Sequence, residues 1–360
     1  MKQEIIKIFF LLLVLSVSGC LEDTVETNDV KFCNSADLIA YTEAGTNFFN
    51  SEKRPQLVTV DELNQSLGNY YIIDIRDEFD FIAGHITGAK NVKRKELLTY
   101  IEELDISPNQ KIIIISSTGQ LASYSSALLF IAGFENVFTL DGGMTYWNNF
   151  FSDELKDVRG NRVRYVRYHE ANPSSNVYNP PDLFYESNPK TIEDKIEERI
   201  KFLLNEPDEN IFISAEEFDE TYSRKVGGYL NTIVIYTQQE KLLPSLKPNE
   251  TRTIKGPISS ILYDMPYYFT SNNFLLALPV TKKIVLYSDN GQQSSFITAY
   301  LRLLGYSART IKYGKINMMC FTIYELHEDK NNPIVITGYD TLYCVDINSR
   351  IRDYPYEVGN

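Results

Sequence analysis

Ile112-Ile113-Ile114-Ile115-Ser116-Ser117-Thr118-Gly119-Gln120 is the stretch whose reading decides the fold. Four consecutive isoleucines leave no polar face, so the strand they form is covered on both sides, as in a parallel sheet clothed by helices. Ser-Ser-Thr-Gly is turn chemistry, and Gln120 to Ala132 reads as the helix that leaves the turn. Outward from this point, Tyr71 to Ile75 is a short apolar strand. Lys95 to Leu104 has helical spacing at Leu97, Leu98, Ile101 and Leu104. Asn136 to Leu140 reads as another strand, and Met144 to Phe150 as a closing helix. Alternation of this kind implies right-handed crossovers and a mainly parallel sheet.

The pattern occurs twice. Ile284-Val285-Leu286-Tyr287-Ser288-Asp289-Asn290-Gly291-Gln292 lies 172 residues further on, with Ser288 standing where Ser116 stands. At the same spacing Gly84, Ile86, Lys111 and Ile112 match Gly256, Ile258, Lys283 and Ile284. Ser123, Ala127, Leu129, Gly133 and Gly142 match Ser295, Ala299, Leu301, Gly305 and Gly314. A register this long and unbroken indicates internal duplication. Thr59-Val60-Asp61-Glu62-Leu63 also echoes Ser214-Ala215-Glu216-Glu217-Phe218, at a different spacing.

Residues 1–20 read as a targeting segment: basic Lys2 and Lys7, an apolar run from Ile8 to Val17, then Val17-Ser18-Gly19-Cys20. The run is shorter than the ~20 residues a membrane helix needs. Its end resembles a bacterial lipobox, which implies lipidation at Cys20 and anchoring without crossing; an ordinary signal peptide is the alternative. Residues 21–35, with Glu22, Asp23, Glu26 and Asp29, read as an acidic tether. Residues 36–152 form a first domain, opened by a helix from Ala36 to Phe49. Residues 153–190, rich in Asn, Pro, Tyr and Ser, form a linker. Residues 191–318 form a second domain introduced by a helix from Thr191 to Leu204, and residues 319–360 a strand-rich extension with runs at Cys320 to Tyr324 and Ile334 to Thr337. A net charge of −13 argues against nucleic acid and anionic lipid as partners. Cys33, Cys320 and Cys344 remain besides Cys20; Cys320 and Cys344 either pair or stay as thiols. No Cys/His spacing suggests a metal site, and no cofactor is expected.

Asp74-Ile75-Arg76, Gly84-His85-Ile86-Thr87-Gly88-Ala89, the Ile112 to Gly119 strand and loop, and Leu140-Asp141-Gly142-Gly143 with Trp147 together resemble a rhodanese domain. The likeness spans about Gln56 to Phe150. A degenerate second copy spans about Ile211 to Met318, with Pro257 in place of the histidine. The resemblance implies two α/β domains, each a mainly parallel five-stranded sheet flanked by helices. It also implies that a nucleophilic cysteine would open the loop and an arginine would follow five residues later. Here those positions hold Ser116 and Leu121, and Ser288 and Gln293. A thiol in such a loop ionises well below its ordinary ~8.5 and can carry sulfur; a hydroxyl cannot. Asp74, Arg76, Gly84, His85, Gly142, Gly143 and Trp147 are expected to be structural.

The functional expectation is a non-catalytic, lipid-anchored binding module of the bacterial envelope, periplasmic or surface-exposed. Its expected partner is a protein, a role that the 25 tyrosines suit. The candidate loops are Ser116, Ser117, Thr118, Gly119, Gln120 and Leu121, and Ser288, Asp289, Asn290, Gly291, Gln292 and Gln293, whose backbone N–H groups would hold a small anion weakly. The alternatives are a thiosulfate or persulfide sulfurtransferase using an unexpected thiol, and a structural component of an envelope assembly. A Ser116–His85 hydrolase pair is disfavoured, because the Gly-His-Ile segment is a structural turn in the resembled family.

Overall fold

A computed structural model describes residues 32–44, 56–107, 109–157, 176–222, 232–237, 260–262, 269–318 and 347–359. Strand β1 (Phe32–Asn34) and helix α1 (Ala36–Ala44) come first. Strands β2 (Leu57–Val58), β3 (Tyr70–Asp74), β4 (Lys90–Asn91), β5 (Lys111–Ile115) and β6 (Val137–Leu140) then form an all-parallel sheet in the order 2-6-5-3-4. Ile112 to Ile115 are all buried at its centre, as a strand covered on both faces must be. The connecting helices are α2 (Val60–Gln65), α3 (Glu78–Ala83), α4 (Leu97–Glu102), α5 (Gln120–Ile131), α6 (Gly143–Trp147) and α7 (Asp153–Asp157). Side chains start two of them: Thr59 accepts the Glu62 N–H, and Asp77 accepts the Asp80 N–H. The helix expected from Lys95 opens instead with a 3₁₀ turn over Arg94–Glu96. The helix expected to run to Phe150 stops at Trp147, because Asn148 is extended and caps a following 3₁₀ turn through Phe150 N–H.

Helices α8 (Ile192–Asn205), α9 (Asp208–Ile211) and α10 (Ala215–Tyr222) accompany a second sheet. Thr191 and Asp194 form a reciprocal capping box on α8. Strands β8 (Phe212–Ile213), β9 (Thr232–Tyr236), β10 (Ser260–Leu262), β11 (Lys283–Tyr287) and β12 (Ala308–Ile311) pair in parallel in the order 10-9-11-12-8. This is the order 4-3-5-6-2 of the first sheet. The echo noted upstream is also structural: Ser214 accepts the Glu217 N–H as Thr59 accepts that of Glu62. Helix α11 (Gln292–Leu303) follows β11, and α12 (Lys315–Met318) follows β12.

The register of the repeat is corrected at one place. Strand β11 and helix α11 lie 172 residues after β5 and α5, but β12 lies 171 after β6. One residue is lost in the turn, where Asn136 O and Ser307 O accept the equivalent N–H groups of Ile112 and Ile284. Gly314 therefore corresponds to Gly143, not Gly142. Both adopt positive φ, and a Cβ would lie 2.1 Å from Ser116 O at Gly143 and 2.0 Å from Ser288 O at Gly314. Gly142 corresponds to Tyr313, which keeps the left-handed backbone at φ +65° without being glycine.

Two flanking segments are more structured than the sequence reading allows. β7 (Asp182–Phe184), within the expected linker, pairs antiparallel with β1 at the end of the expected tether. Both help to place α1 against α8, where Leu38, Ile39, Ile196 and Ile200 enter the larger core. That core contains residues of both sheets and of α5 and α11; a smaller one lies on the other face of the first sheet. Within the described part of the expected strand-rich extension, residues 347–359 form a strap on the first unit with only isolated bridges, His85 to Glu357 and Asn148 to Asp353. Trp147 Nε1–H donates to Pro355 O at 2.9 Å, and Asp61 receives a two-pronged bond from Arg352 at 2.8 and 2.9 Å. The runs at Cys320 to Tyr324 and Ile334 to Thr337, and the targeting segment, lie outside the described residues.

Gly143→Ala is expected to destabilise the protein by roughly 2–3 kcal/mol, from left-handed strain plus the clash with Ser116 O. Urea unfolding measures this; Gly68→Ala, where a Cβ meets nothing within 4 Å, is the control and should have little effect.

Candidate functional site

Ser116 and Ser288 sit at the carboxyl ends of the central strands, where open α/β sheets place their ligands. Both are buried. Ser116 Oγ accepts the Ala122 N–H at 3.2 Å, and Ser288 Oγ accepts the Ser294 N–H at 3.2 Å while donating to Ser294 Oγ. Each hydroxyl thus satisfies an otherwise open N–H in the first turn of the helix that follows. The loop carbonyls are engaged as well. Met144 and Thr145 N–H donate to Ser116 O and Ser117 O, and Lys315 and Ile316 N–H donate to Ser288 O and Asp289 O.

The two loops meet at a seam, and each sends a glutamine into the other unit. Gln292 Oε1 accepts the Gly142 N–H at 2.9 Å, and its Nε2 donates to Leu140 O at 3.2 Å. Gln120 Oε1 accepts the Tyr313 N–H at 2.7 Å, and its Nε2 donates to Ile311 O at 3.2 Å. With the corrected register, Leu140 and Gly142 are the counterparts of Ile311 and Tyr313. The exchange is therefore reciprocal and nearly two-fold symmetric. Glycine makes it possible: a Cβ on Gly119 would lie 2.4 Å from Gln292 Nε2, and one on Gly291 would lie 2.0 Å from Gln120 Nε2. Asn290 extends the seam by donating to Asp141 Oδ1 at 3.3 Å and to Gln292 Oε1 at 2.8 Å. Gly119, Gln120, Gly291, Gln292 and Gln293 are buried, whereas Ser117, Thr118, Leu121, Asp289 and Asn290 retain partial exposure. Leu121 packs on the larger core.

Charge beside the seam is sparse and paired. Lys315 Nζ is almost fully buried, 2.9 Å from Asp289 Oδ1; burial holds its ammonium below the ordinary range, against the pull of Asp289. Burial raises the Asp141 carboxyl, opposed by Arg350 at 3.5 Å and by the Asn290 amide. Neither Lys315 nor Arg350 was legible as a site residue, since α12 and the strap have no motif. The glutamines could have been singled out: the same long polar residue opens both helices, directly after a glycine, in repeat register.

The remaining motif residues make contacts within the first unit and to the strap. Asp74, fully buried, binds Arg76 through its backbone N–H and guanidinium, the closest contact being 2.6 Å, and Arg76 also donates to Gly84 O at 2.7 Å. His85 stacks on Phe81 at 3.8 Å, with Nδ1 2.9 Å from Phe81 O and Nε2 3.6 Å from Glu357. Those contacts direct it to α3 and the strap, and it makes no hydrogen bond with Ser116. Trp147 is fully buried. The Cys33 backbone pairs with Leu183 in the β1–β7 ribbon, and Cys20, Cys320 and Cys344 lie outside the described residues. Among the described residues no group of three His, Cys, Asp or Glu is placed to hold a metal ion, and no helix is long and apolar enough to cross a membrane.

Residues 59–150 match the rhodanese-like domain family. The thiosulfate sulfurtransferase GlpE of Pseudomonas fluorescens SBW25 is 32% identical over 84 residues, 23% of this chain and 75% of that protein. That of Pseudoalteromonas translucida TAC 125 is 32% identical over 85 residues, 24% of this chain and 79% of that protein. The solution structure of the rhodanese-like domain of the Anabaena Alr3790 protein is 26% identical, covering 25% of this chain and 71% of that one, with a TM-score of 0.24. Through residues 59–150 the chain belongs to the rhodanese-like domain family.

Gln120→Leu and Gln292→Leu each strand a buried backbone N–H and should each cost about 1–3 kcal/mol in urea unfolding. Stability equal to the parent would mean that the seam carries no weight. Asp141 also sets a pH dependence. Its folded pKa is raised, so its favourable contribution is present below the ordinary carboxylate range and is lost as pH rises through the raised value. Asp141→Asn should therefore remove the part of the loss in melting temperature that begins as pH rises above the ordinary carboxylate range, as thermal melts over a pH series would show.

Proposed function

We propose that this chain is a tandem rhodanese-fold lipoprotein, tethered by Cys20 to a bacterial envelope membrane on its periplasmic or outer face, that binds a protein partner and transfers no sulfur. The observation that carries the reading is the pair Ser116 and Ser288. Each stands at the strand-to-helix loop with its hydroxyl held by an N–H six residues on. Sulfur transfer through such a loop needs a thiolate, and oxygen forms no stable equivalent of a persulfide. Leu121 and Gln293 occupy the positions from which an arginine would hold an anionic substrate. The identical strand order of the two sheets supports reading residues 191–318 as a second, degenerate copy. The first-turn N–H groups of α5 still favour negative charge, which supports weak binding of a small anion beside Ser117 and Thr118. No observation favours the envelope-assembly reading over the binder.

Incubated with thiosulfate and cyanide, the wild-type chain is expected to form thiocyanate no faster than buffer. The Ser116→Cys, Leu121→Arg double variant should gain alkylation-sensitive turnover. Wild-type turnover that alkylation abolishes would overturn the reading, because it would mean that a native thiol carries sulfur.

A further inference from the structure

A second surface, beside the Ser116 loop on the side of α3 and the strap, carries its own chemistry; Thr145 Oγ1 bonds both Ser117 O and Phe151 O. Phe79, on α3, is 86% exposed, Val358, on the strap, 72%, and Phe150, in the turn after α6, 60%. Among the described residues they are the three most exposed large apolar side chains of the first unit and its strap, and contacts of their neighbours draw the three stretches together. Gly359 N–H donates to Ile82 O at 2.9 Å, which lays Val358 along α3 one turn from Phe79. Phe150 stacks on Tyr356 at 5.7 Å between ring centres, two residues before Val358. Phe151 and Tyr356 fill the space over Gly84, where a Cβ would lie 2.6–2.9 Å from their rings. The ridge is thus assembled from three distant stretches, and the strap that fastens to His85 and Trp147 also completes it. Exposed apolar side chains gathered on neighbouring stretches and rimmed by polar residues mark interaction sites.

The rim decides the partner. Asp77, Glu78 and Asp80 flank Phe79, while Asp353 and Glu357 flank the strap, and all five are exposed. Five exposed carboxylates in so small an area make the rim acidic; burial, then Asp77, push the Asp80 carboxyl up against Arg76. Lys156, near Phe150, already lies against Asp153 and Asn149. An anionic bilayer would meet like charge here. So would a second copy, since a two-fold contact sets the same acidic rim against itself. We propose that this ridge docks a segment of another protein that presents apolar side chains flanked by lysine or arginine. The proposal goes beyond the binding reading above and stands without it, because a sulfurtransferase could carry the same surface.

The test uses the full chain and three labelled helical peptides of equal length: leucine with lysine, leucine with glutamate, and serine with lysine. Fluorescence anisotropy should show the leucine–lysine peptide bound at least about tenfold more tightly than either control, with affinity falling as salt rises. Phe79→Ser with Val358→Ser should weaken it about tenfold while leaving the melting temperature unchanged, since both side chains face solvent. Hydrogen exchange should show the bound peptide protecting residues 78–83 and 356–359. Equal binding by the parent and the double variant would overturn the proposal. So would an equal affinity for the serine–lysine peptide, or self-association of the parent chain that the double variant abolishes.

Discussion

The reciprocal exchange of Gln120 and Gln292 is the contact on which the rest of this structure depends. Each amide satisfies a buried N–H and a buried carbonyl in the opposite unit. Leaving such groups unpaired costs more than pairing them gains, so the exchange specifies how the two units fit more than how strongly they hold. Strength comes from the apolar side chains around it, where α5 and α11 join α8 and α1 in one core. Gly119 and Gly291 are where this arrangement touches the sequence most directly. Each turns the loop at positive φ and also leaves room for the opposite glutamine.

The same constraint shapes what the loops can do. In each, a tight turn leads from the strand to a helix N-terminus, but the serine hydroxyl is occupied within its own loop and the deeper residues face the other unit. Only Ser117, Thr118, Leu121, Asp289 and Asn290 remain partly open to solvent. A ligand that reaches this region meets the rim of the seam, not a deep cleft. On the proposed reading, recognition therefore falls to surfaces outside the seam, and the acidic aromatic ridge beside the strap is one of them.

Much of the fold was legible because it depends on local pattern. The isoleucine run, the Ser-Ser-Thr-Gly turn and the helix after it predicted β5 and α5 closely, and the repeat then placed β11 and α11. The slip of one residue before β12 was not legible, since Gly142 and Gly314 align by letter. Only backbone geometry shows that Tyr313 takes the left-handed position and that Gly314 does the work of Gly143. The β1–β7 ribbon and the strap were missed for another reason. Both are short, and they are held by contacts distant in sequence, such as Cys33 to Leu183 and Trp147 to Pro355, which leave no periodic trace. At the site, the positions of Ser116 and Ser288 followed from pattern, whereas the seam that closes over them required the second unit to be in place.

Differential scanning calorimetry of the full chain tests most directly whether the two sheets form one body. One shared core and a reciprocal seam predict a single transition with calorimetric and van't Hoff enthalpies in agreement. Two resolved transitions, with the lower one melting the second sheet while the first stays folded, would contradict it.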